Sequence, residues 1–410
     1  MHLLTTLVIL STTPGAYSQI SFADMVDKAK AKFYDSTATV DTDSTFGFGT
    51  RLFMEVSEIS PVKNVLISPL SVYNALHLLQ EGSTPGSKTE SQFKILGYQP
   101  LIGDTDNGDV ILETATSIWA DDLKQSYIKK MKSKHSSEAF PLPSTYTPVN
   151  EWIEEETNGL IRDFIQPVSP GPLGPTLVST VYFNGTWSNQ FDPDDTVDGY
   201  FTLRDGTEKK GRFMSDTRFV QVLDESSELG GASAILLDYG KEDPPEYSSL
   251  FILPKDDSME SLESVLTGLS SELLSDLDDL PYDRADIKLP RFKIEWSASL
   301  KEELQRMGIK AAFDANIDNK FDRMTTNDAL TVGDVIHGAS MSVTELGTEA
   351  GAVTVVKMFG SARLSGQPLD MNFNRPFVTA IIHRPTGTPI FIGKVENPQL
   401  ILEDPQVIHH

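Results

Sequence analysis

The stretch Glu345–Asp370 reads ELGTEAGAVTVVKMFGSARLSGQPLD, and it decides how the rest of the chain is read. It holds four glycines, many small residues and several β-branched ones. Its first half alternates as a strand does. Thr348, Ala350, Ala352, Thr354 and Val356 share one face, and Glu349, Gly351, Val353 and Val355 the other. A connection this long is uncommon inside a compact domain and is usually functional. On local chemistry alone the simpler reading is an edge strand followed by a loop. The alternation leaves a second reading open: a loop that can also become a strand.

Working outward, helical periodicity marks Phe46–Glu58, Ser71–Leu79, Pro148–Phe164 and Ala298–Met307. Strand-like runs are Thr114–Trp119, Thr176–Phe183, Ala232–Leu237, Ser249–Leu253, Ile287–Ile294, Phe377–Ile382 and Pro389–Val395. Helices come mainly early and strands mainly late, which predicts an α+β fold with antiparallel sheets. No repeat of 20 to 50 residues stands out. No linker rich in Pro, Gly or Ser splits the chain, and acid-rich Glu272–Asp286 lies between elements. One domain is expected.

The 410 residues include 34 Lys plus Arg against 59 Asp plus Glu, a formal charge of −25. That charge repels phosphate backbones, so no nucleic-acid partner is expected. There is no cysteine, which excludes disulfides, thiolate metal sites and a cysteine nucleophile. Leu3–Leu10, LLTTLVIL, is a short apolar run followed by Ala16-Tyr17-Ser18. Small residues at 16 and 18 predict a signal peptide over residues 1–18 with cleavage before Gln19, hence secretion, although the flank carries His2 and no Lys or Arg. The domain then spans residues 19–410. No other run approaches the roughly 18 apolar residues needed to cross a bilayer, so no membrane partner is expected.

The seven histidines are His2, His77, His135, His337, His383, His409 and His410. None forms an HExxH pair, and none is read as standing beside a carboxylate at ligand spacing, so no metal site is expected. His409-His410 reads as a solvated tail. No GxSxG elbow is present. Gly82–Thr89, GSTPGSKT, lacks phosphate-loop spacing and reads as a turn entering a helix. Lys124, Lys129, Lys130, Lys132 and Lys134 form a basic cluster. A glycosaminoglycan is a conceivable ligand, but an exposed helix face is the plainer reading. The one sequon, Asn184-Gly185-Thr186, follows the apolar run LVSTVYF, where burial argues against glycosylation. No catalytic constellation emerges, so an enzyme is not expected.

Six motifs in order resemble one family. They are Asn64-Val65-Leu66-Ile67-Ser68-Pro69-Leu70-Ser71; Asn150-Glu151-Trp152-Ile153 with Thr157-Asn158-Gly159; and Leu177–Trp187 with Phe191 and Thr196. The others are Ile287-Lys288-Leu289-Pro290-Arg291-Phe292; Val335-Ile336-His337 with Glu345-Leu346-Gly347-Thr348-Glu349-Ala350; and Phe373-Asn374-Arg375-Pro376-Phe377. The sequence resembles the serpins over nearly all of residues 19–410. The resemblance implies three mostly antiparallel sheets, about nine helices and an exposed reactive loop at about 345–370. It also implies a monomeric suicide inhibitor of serine proteases that needs no cofactor. The protease attacks the loop, an acyl-enzyme forms, and the cleaved loop enters the main sheet as a new strand.

The resemblance further implies roles. Glu345, Gly347, Thr348, Glu349, Ala350, Gly351 and Ala352 form the hinge. Ser68, Ser71, Ser179 and His337 form the cluster that holds the main sheet closed, and Trp187 and Arg291 stand where the loop begins to enter. Thr348, Ala350, Ala352 and Thr354 are small, as insertion into a packed sheet requires. Three positions depart from the family pattern. Ser179 stands for a usual Asn, so hydrogen bonding there must differ or use water. Gly338 stands for a usual Lys, and Leu346 for a charged residue. Arg291 and Glu345 are expected to face each other, a pair worth about 0 to 1 kcal/mol if exposed.

The family's usual spacing puts the cut bond 16 residues past Glu345, at Ser361-Ala362. A small residue there suits an elastase-like or subtilisin-like pocket. Arg363-Leu364 is the alternative, suited to a trypsin-like pocket that binds a guanidinium. Two other function classes stay open: a non-inhibitory carrier or chaperone of the same fold, and an unrelated secreted hydrolase.

Overall fold

The computed structural model describes residues 45–97, 102–159, 161–162, 165, 174–269, 273, 277–317, 320–348 and 367–403. The expected signal peptide, and residues 349–366 of the expected loop, lie outside them. All described residues belong to one compact unit within Asp41–His410.

In chain order the elements are α1 (Thr45–Ile59), β1 (Val65–Ile67), α2 (Pro69–Gly82), α3 (Lys88–Gln92), β2 (Thr105–Asp106), β3 (Val110–Trp119), α4 (Gln125–His135), β4 (Glu138–Phe140), α5 (Thr147–Glu156) and β5 (Thr176–Thr186). There follow β6 (Val197–Thr202), β7 (Glu208–Ser226), β8 (Ala232–Tyr239), β9 (Tyr247–Leu253), α6 (Met259–Gly268), β10 (Tyr282–Pro290), β11 (Phe292–Ser299) and α7 (Lys301–Arg306). The last are β12 (Asp334–Thr344), β13 (Gly347–Thr348), β14 (Leu369–Asn372), β15 (Phe377–His383), β16 (Thr388–Val395) and β17 (Gln399–Leu400).

Local chemistry accounts for the helix ends. Ser68 caps α2, its Oγ accepting from the Ser71 N–H at 3.2 Å, and Pro69 takes the first helical position. Ser87 caps α3, its Oγ accepting from Glu90 N–H, and the Glu90 carboxylate accepts from Gly86 N–H just before the cap, so Gly82–Thr89 is the turn expected from sequence. α5 stops at Glu156, short of the expected Phe164. Asn158 and Gly159 follow with φ of 50° and 77°, and the Gly159 N–H bonds back to Glu154 O, a left-handed stop signal.

Pairing among the described residues gives two sheets. The first has nine strands in the order β1-β16-β15-β9-β8-β7-β10-β14, with β6 on β7. The second has eight strands in the order β17-β11-β12-β13-β5-β3-β2, with β4 on β3. The third sheet expected is fused to the first through the 19-residue β7, whose early part pairs with β6 and β10 and whose last residues pair with β8. Seven α-helices stand among the described residues, against about nine expected. None is long and apolar enough to cross a membrane.

Three apolar clusters layer these parts. Phe48, Leu52, Ala75, Leu79 and Leu262 of the helices pack on Ala234, Ile252, Ala380 and Ile392. The two sheets face each other through Val181, Phe183, Ile294, Met341, Phe251, Phe377 and Phe391. On the outer face of the second sheet, Trp152 and Ile153 of α5 cover Ala115, Trp119 and Val178. The run Ile287–Ile294, read as one strand, is two: β10 in the first sheet and β11 in the second, with Arg291 at the crossing. Likewise Ala298 and Ser299 belong to β11, and the helix expected from Ala298 begins at Lys301.

Candidate functional site

β5 and β12 run parallel as neighbours, yet they pair only over Thr176–Ser179 against Asp334–His337. Past a two-residue turn at Glu345-Leu346 the chain doubles back as β13, which enters between them. Thr348 stands opposite Val343 on one side and Gly185 on the other. So the residues at 347 and 348 lie inside the sheet, where the local reading of the sequence placed an edge strand.

This entry requires glycine and a small neighbour. Gly347 has φ of 152°, and a Cβ there would sit 1.9 Å from Gly185 O. A Cβ on Gly185 would meet the Tyr239 and Phe183 rings at under 3 Å. Thr348 is buried, its hydroxyl 2.6 Å from the Tyr239 hydroxyl. Trp187 closes the entry point: its N–H donates to Leu346 O at 2.9 Å, its indole Nε1 donates to Thr344 O at 3.0 Å, and its ring stacks on Tyr239 at 4.4 Å.

At the turn, Arg291 Nε donates to Glu345 Oε1 at 2.5 Å, and both side chains are 0 % exposed. Thr196 Oγ1 donates to the same oxygen, and Phe191 N–H donates to Glu345 O. Arg291 Nη1 donates to Glu403 O at 3.0 Å, while β17 pairs with Phe292-Lys293 of β11. The C-terminal segment thus folds over the pair. The exposed, weak pair allowed for on sequence is instead wholly buried. Removing one partner from such a pair strands a charge and costs about 3–5 kcal/mol.

At the other end of the seam, His337 Nε2 accepts from the Ser68 N–H at 2.9 Å, and His337 stands opposite Ser179 in register. Burial pushes this imidazole down to about 4, with a backbone hydrogen bond to Ser179 acting the other way. The side-chain hydroxyls of Ser71 and Ser179 are buried without a hydrogen-bond partner among the described residues. Ser179 is too short to reach the groups an Asn would.

The structure therefore brings Ser68, Ser71, Ser179 and His337 together, and Trp187, Arg291, Glu345, Gly347 and Thr348 together. Glu349, Ala350, Gly351, Ala352, Ser361, Ala362, Arg363 and Leu364 lie outside the described residues. Asn184 is half-buried on β5, its amide donating to the Tyr182 hydroxyl at 3.3 Å. The lysines at 129, 132 and 134 lie along α4, but Lys124 donates to Asp322 O and Lys130 pairs with Glu81. Tyr239 and the carbonyl of Glu403 were not legible as site residues: the strand reading stopped at Leu237, and the tail carries no motif.

A family model described as serpin, serine protease inhibitor, matches residues 43–398. An uncharacterized serpin-like protein of Methanosarcina acetivorans is 30% identical over 368 residues, covering 82% of this chain and 82% of the relative. Alpha-1-antitrypsin of Meriones unguiculatus is 27% identical over 376 residues, covering 86% and 88%. The structure of human thyroxine-binding globulin with thyroxine aligns at a TM-score of 0.74 and 24% identity, over 87% of this chain and 97% of that one. With a family match over most of its length and relatives of nearly equal extent, the chain belongs to the serpin family.

Proposed function

We propose that the chain is a secreted suicide inhibitor of serine proteases that works by inserting its cleaved loop into the eight-stranded sheet. Serpins are generally protease inhibitors rather than enzymes. The observation that carries the reading for this chain is the seat of Gly347 and Thr348 between β5 and β12, at the mouth of a seam paired only at its far end. The residues next in sequence alternate small side chains at 350, 352 and 354, the size a packed seam accepts.

In this mechanism the protease serine attacks the carbonyl carbon of Ser361. The bond to the Ala362 nitrogen breaks, the amine leaves with a proton from the protease's histidine, and an ester joins the two proteins. Residues 349–361 then extend β13 down the seam, carrying the protease with them. An elastase-like or subtilisin-like enzyme fits Ser361, and a trypsin-like one fits Arg363. Secretion rests on the apolar run at Leu3–Leu10 and is checked by the N-terminus of protein recovered from culture medium.

The deciding experiment incubates the purified chain with pancreatic elastase and, separately, with trypsin. The expected result is an SDS-stable complex and a released peptide beginning at Ala362 or Leu364. Loop cleavage with no complex and both proteases still active would overturn inhibition in favour of a non-inhibitory carrier.

A further inference from the structure

α2 and α4 pack together, Leu78 and Leu79 of the one sharing a core cluster with Tyr127 and Met131 of the other. The Tyr127 hydroxyl of α4 donates to Leu78 O of α2 at 2.9 Å, so the two helices are held in register. On α2, His77 and Glu81 are one turn apart and share a half-exposed face, their side chains 30 % and 29 % accessible. His135, the last residue of α4, meets them there, its ring edge-on to His77 at 5.3 Å.

The arrangement has the parts of a metal site. One donor atom from each of His77, Glu81 and His135 lies within 4.8 Å of the other two, and His77 Nε2 is 3.9 Å from Glu81 Oε1. The donors have supporting partners. Gln80 Oε1 is 3.1 Å from His77 Nδ1, and in the tautomer that donates to it the Nε2 lone pair faces Glu81. Tyr73 stacks on the same ring at 5.7 Å. The far oxygen of Glu81, Oε2, is taken by Lys130, so Oε1 remains for a ligand role. His135 Nε2 is buried without a hydrogen-bond partner among the described residues, an unfavourable state that a bound ion relieves. The end of α4 also presents the negative pole of the helix.

We propose that His77, Glu81 and His135 bind a divalent ion of the zinc class and clip α2 to α4. Two imidazoles and one carboxylate suit zinc, whereas calcium and magnesium prefer all-oxygen sets. Tetrahedral zinc needs donors about 3.3 Å apart, so closing the cluster takes about 1 Å of side-chain rotation. Binding needs neutral rings. Lys130 and Lys134 oppose a cation, and Lys130 is offset by Glu81. Arg323, which also bears on Lys130, pairs with Glu90. The clip does not depend on the inhibitory reading and is measured without a protease.

The test uses the full chain carrying His409→Ala and His410→Ala, so that the terminal pair cannot bind. Zinc is titrated by calorimetry with magnesium as the control, and melting is followed with zinc or with EDTA. The expected result is one zinc per chain, a rise in melting temperature reversed by EDTA, and no response to magnesium. His77→Gln and His135→Gln should each weaken zinc at least tenfold, while Lys130→Gln retains it. Cobalt titration reads the same ligands by ligand-field absorption, which keeps the test valid if a histidine variant fails to fold. No zinc-dependent shift up to millimolar metal, or equal affinity in the His77→Gln/His135→Gln double variant, would overturn the site.

Discussion

The two ends of the β5–β12 seam are held by opposite means. At the Glu345 end a buried ion pair is supported by Thr196, the Phe191 N–H and the carbonyl of Glu403. At the His337 end the strands meet around a neutral imidazole, a single backbone donor and hydroxyls that lack partners among the described residues. A buried ion pair is costly to break because each charge would be left alone in a low dielectric. A neutral cluster with unsatisfied hydroxyls loses less when it parts. The comparison places fixity at the turn that starts the hinge and pliancy along the stretch that the proposed insertion must open.

The largest expected effect tests the fixed end. Glu345→Ala should lower unfolding stability by about 3–5 kcal/mol, because Arg291 stays buried with its charge uncompensated. Urea denaturation reads this directly. A loss below about 1 kcal/mol, the range of an exposed pair, would erase the contrast between the two ends.

Next comes pH, which acts at the pliant end. His337 has a folded pKa of about 4, below the ordinary histidine value of 6.5. Its contribution is therefore complete above pH 6.5 and is lost as pH falls toward 4, because the unfolded chain takes up a proton that the folded one refuses. The shift is worth about 3 kcal/mol across that window. Denaturation curves of the parent and of His337→Gln, recorded from pH 7 to 4, should converge at low pH. Parallel pH profiles for the two proteins would show that His337 is not the sensor.

The smallest effect sharpens the same end. Ser179→Asn restores the residue the family usually carries and offers a donor and an acceptor beside unpartnered hydroxyls. Stability should rise by about 0.5–1.5 kcal/mol, read as a higher urea midpoint with an unchanged slope. A fall would mean that the site is shaped around Ser.

Much of the fold was legible because burial leaves a period. α1 and α2 follow from apolar residues three and four apart, and β15 and β16 from continuous apolar runs. Period fails where two elements share one pattern. The Ile287–Ile294 run keeps apolar residues on both sides of Arg291 because both flanking strands face the same inter-sheet core, and only Pro290 and a one-residue shift of the alternation, from Ile287 and Leu289 to Phe292 and Ile294, mark the crossing. The early end of α5 was readable in principle, since Asn158-Gly159 is a stop signal that periodicity alone overrode. The four-residue spacing of His77 and Glu81 is present in the sequence but makes only two ligands. Their third partner, His135, comes from another helix.

The sequence by itself determined the family, the small alternating residues of the hinge and the lack of thiol chemistry, because motif order and residue type are local properties. Only the tertiary structure decided that the Arg291–Glu345 pair is buried, that Gly347 and Thr348 already sit inside the sheet, and that His135 meets His77. Burial and contact between residues tens to hundreds of positions apart depend on which faces the packed layers close over, and no local pattern encodes that.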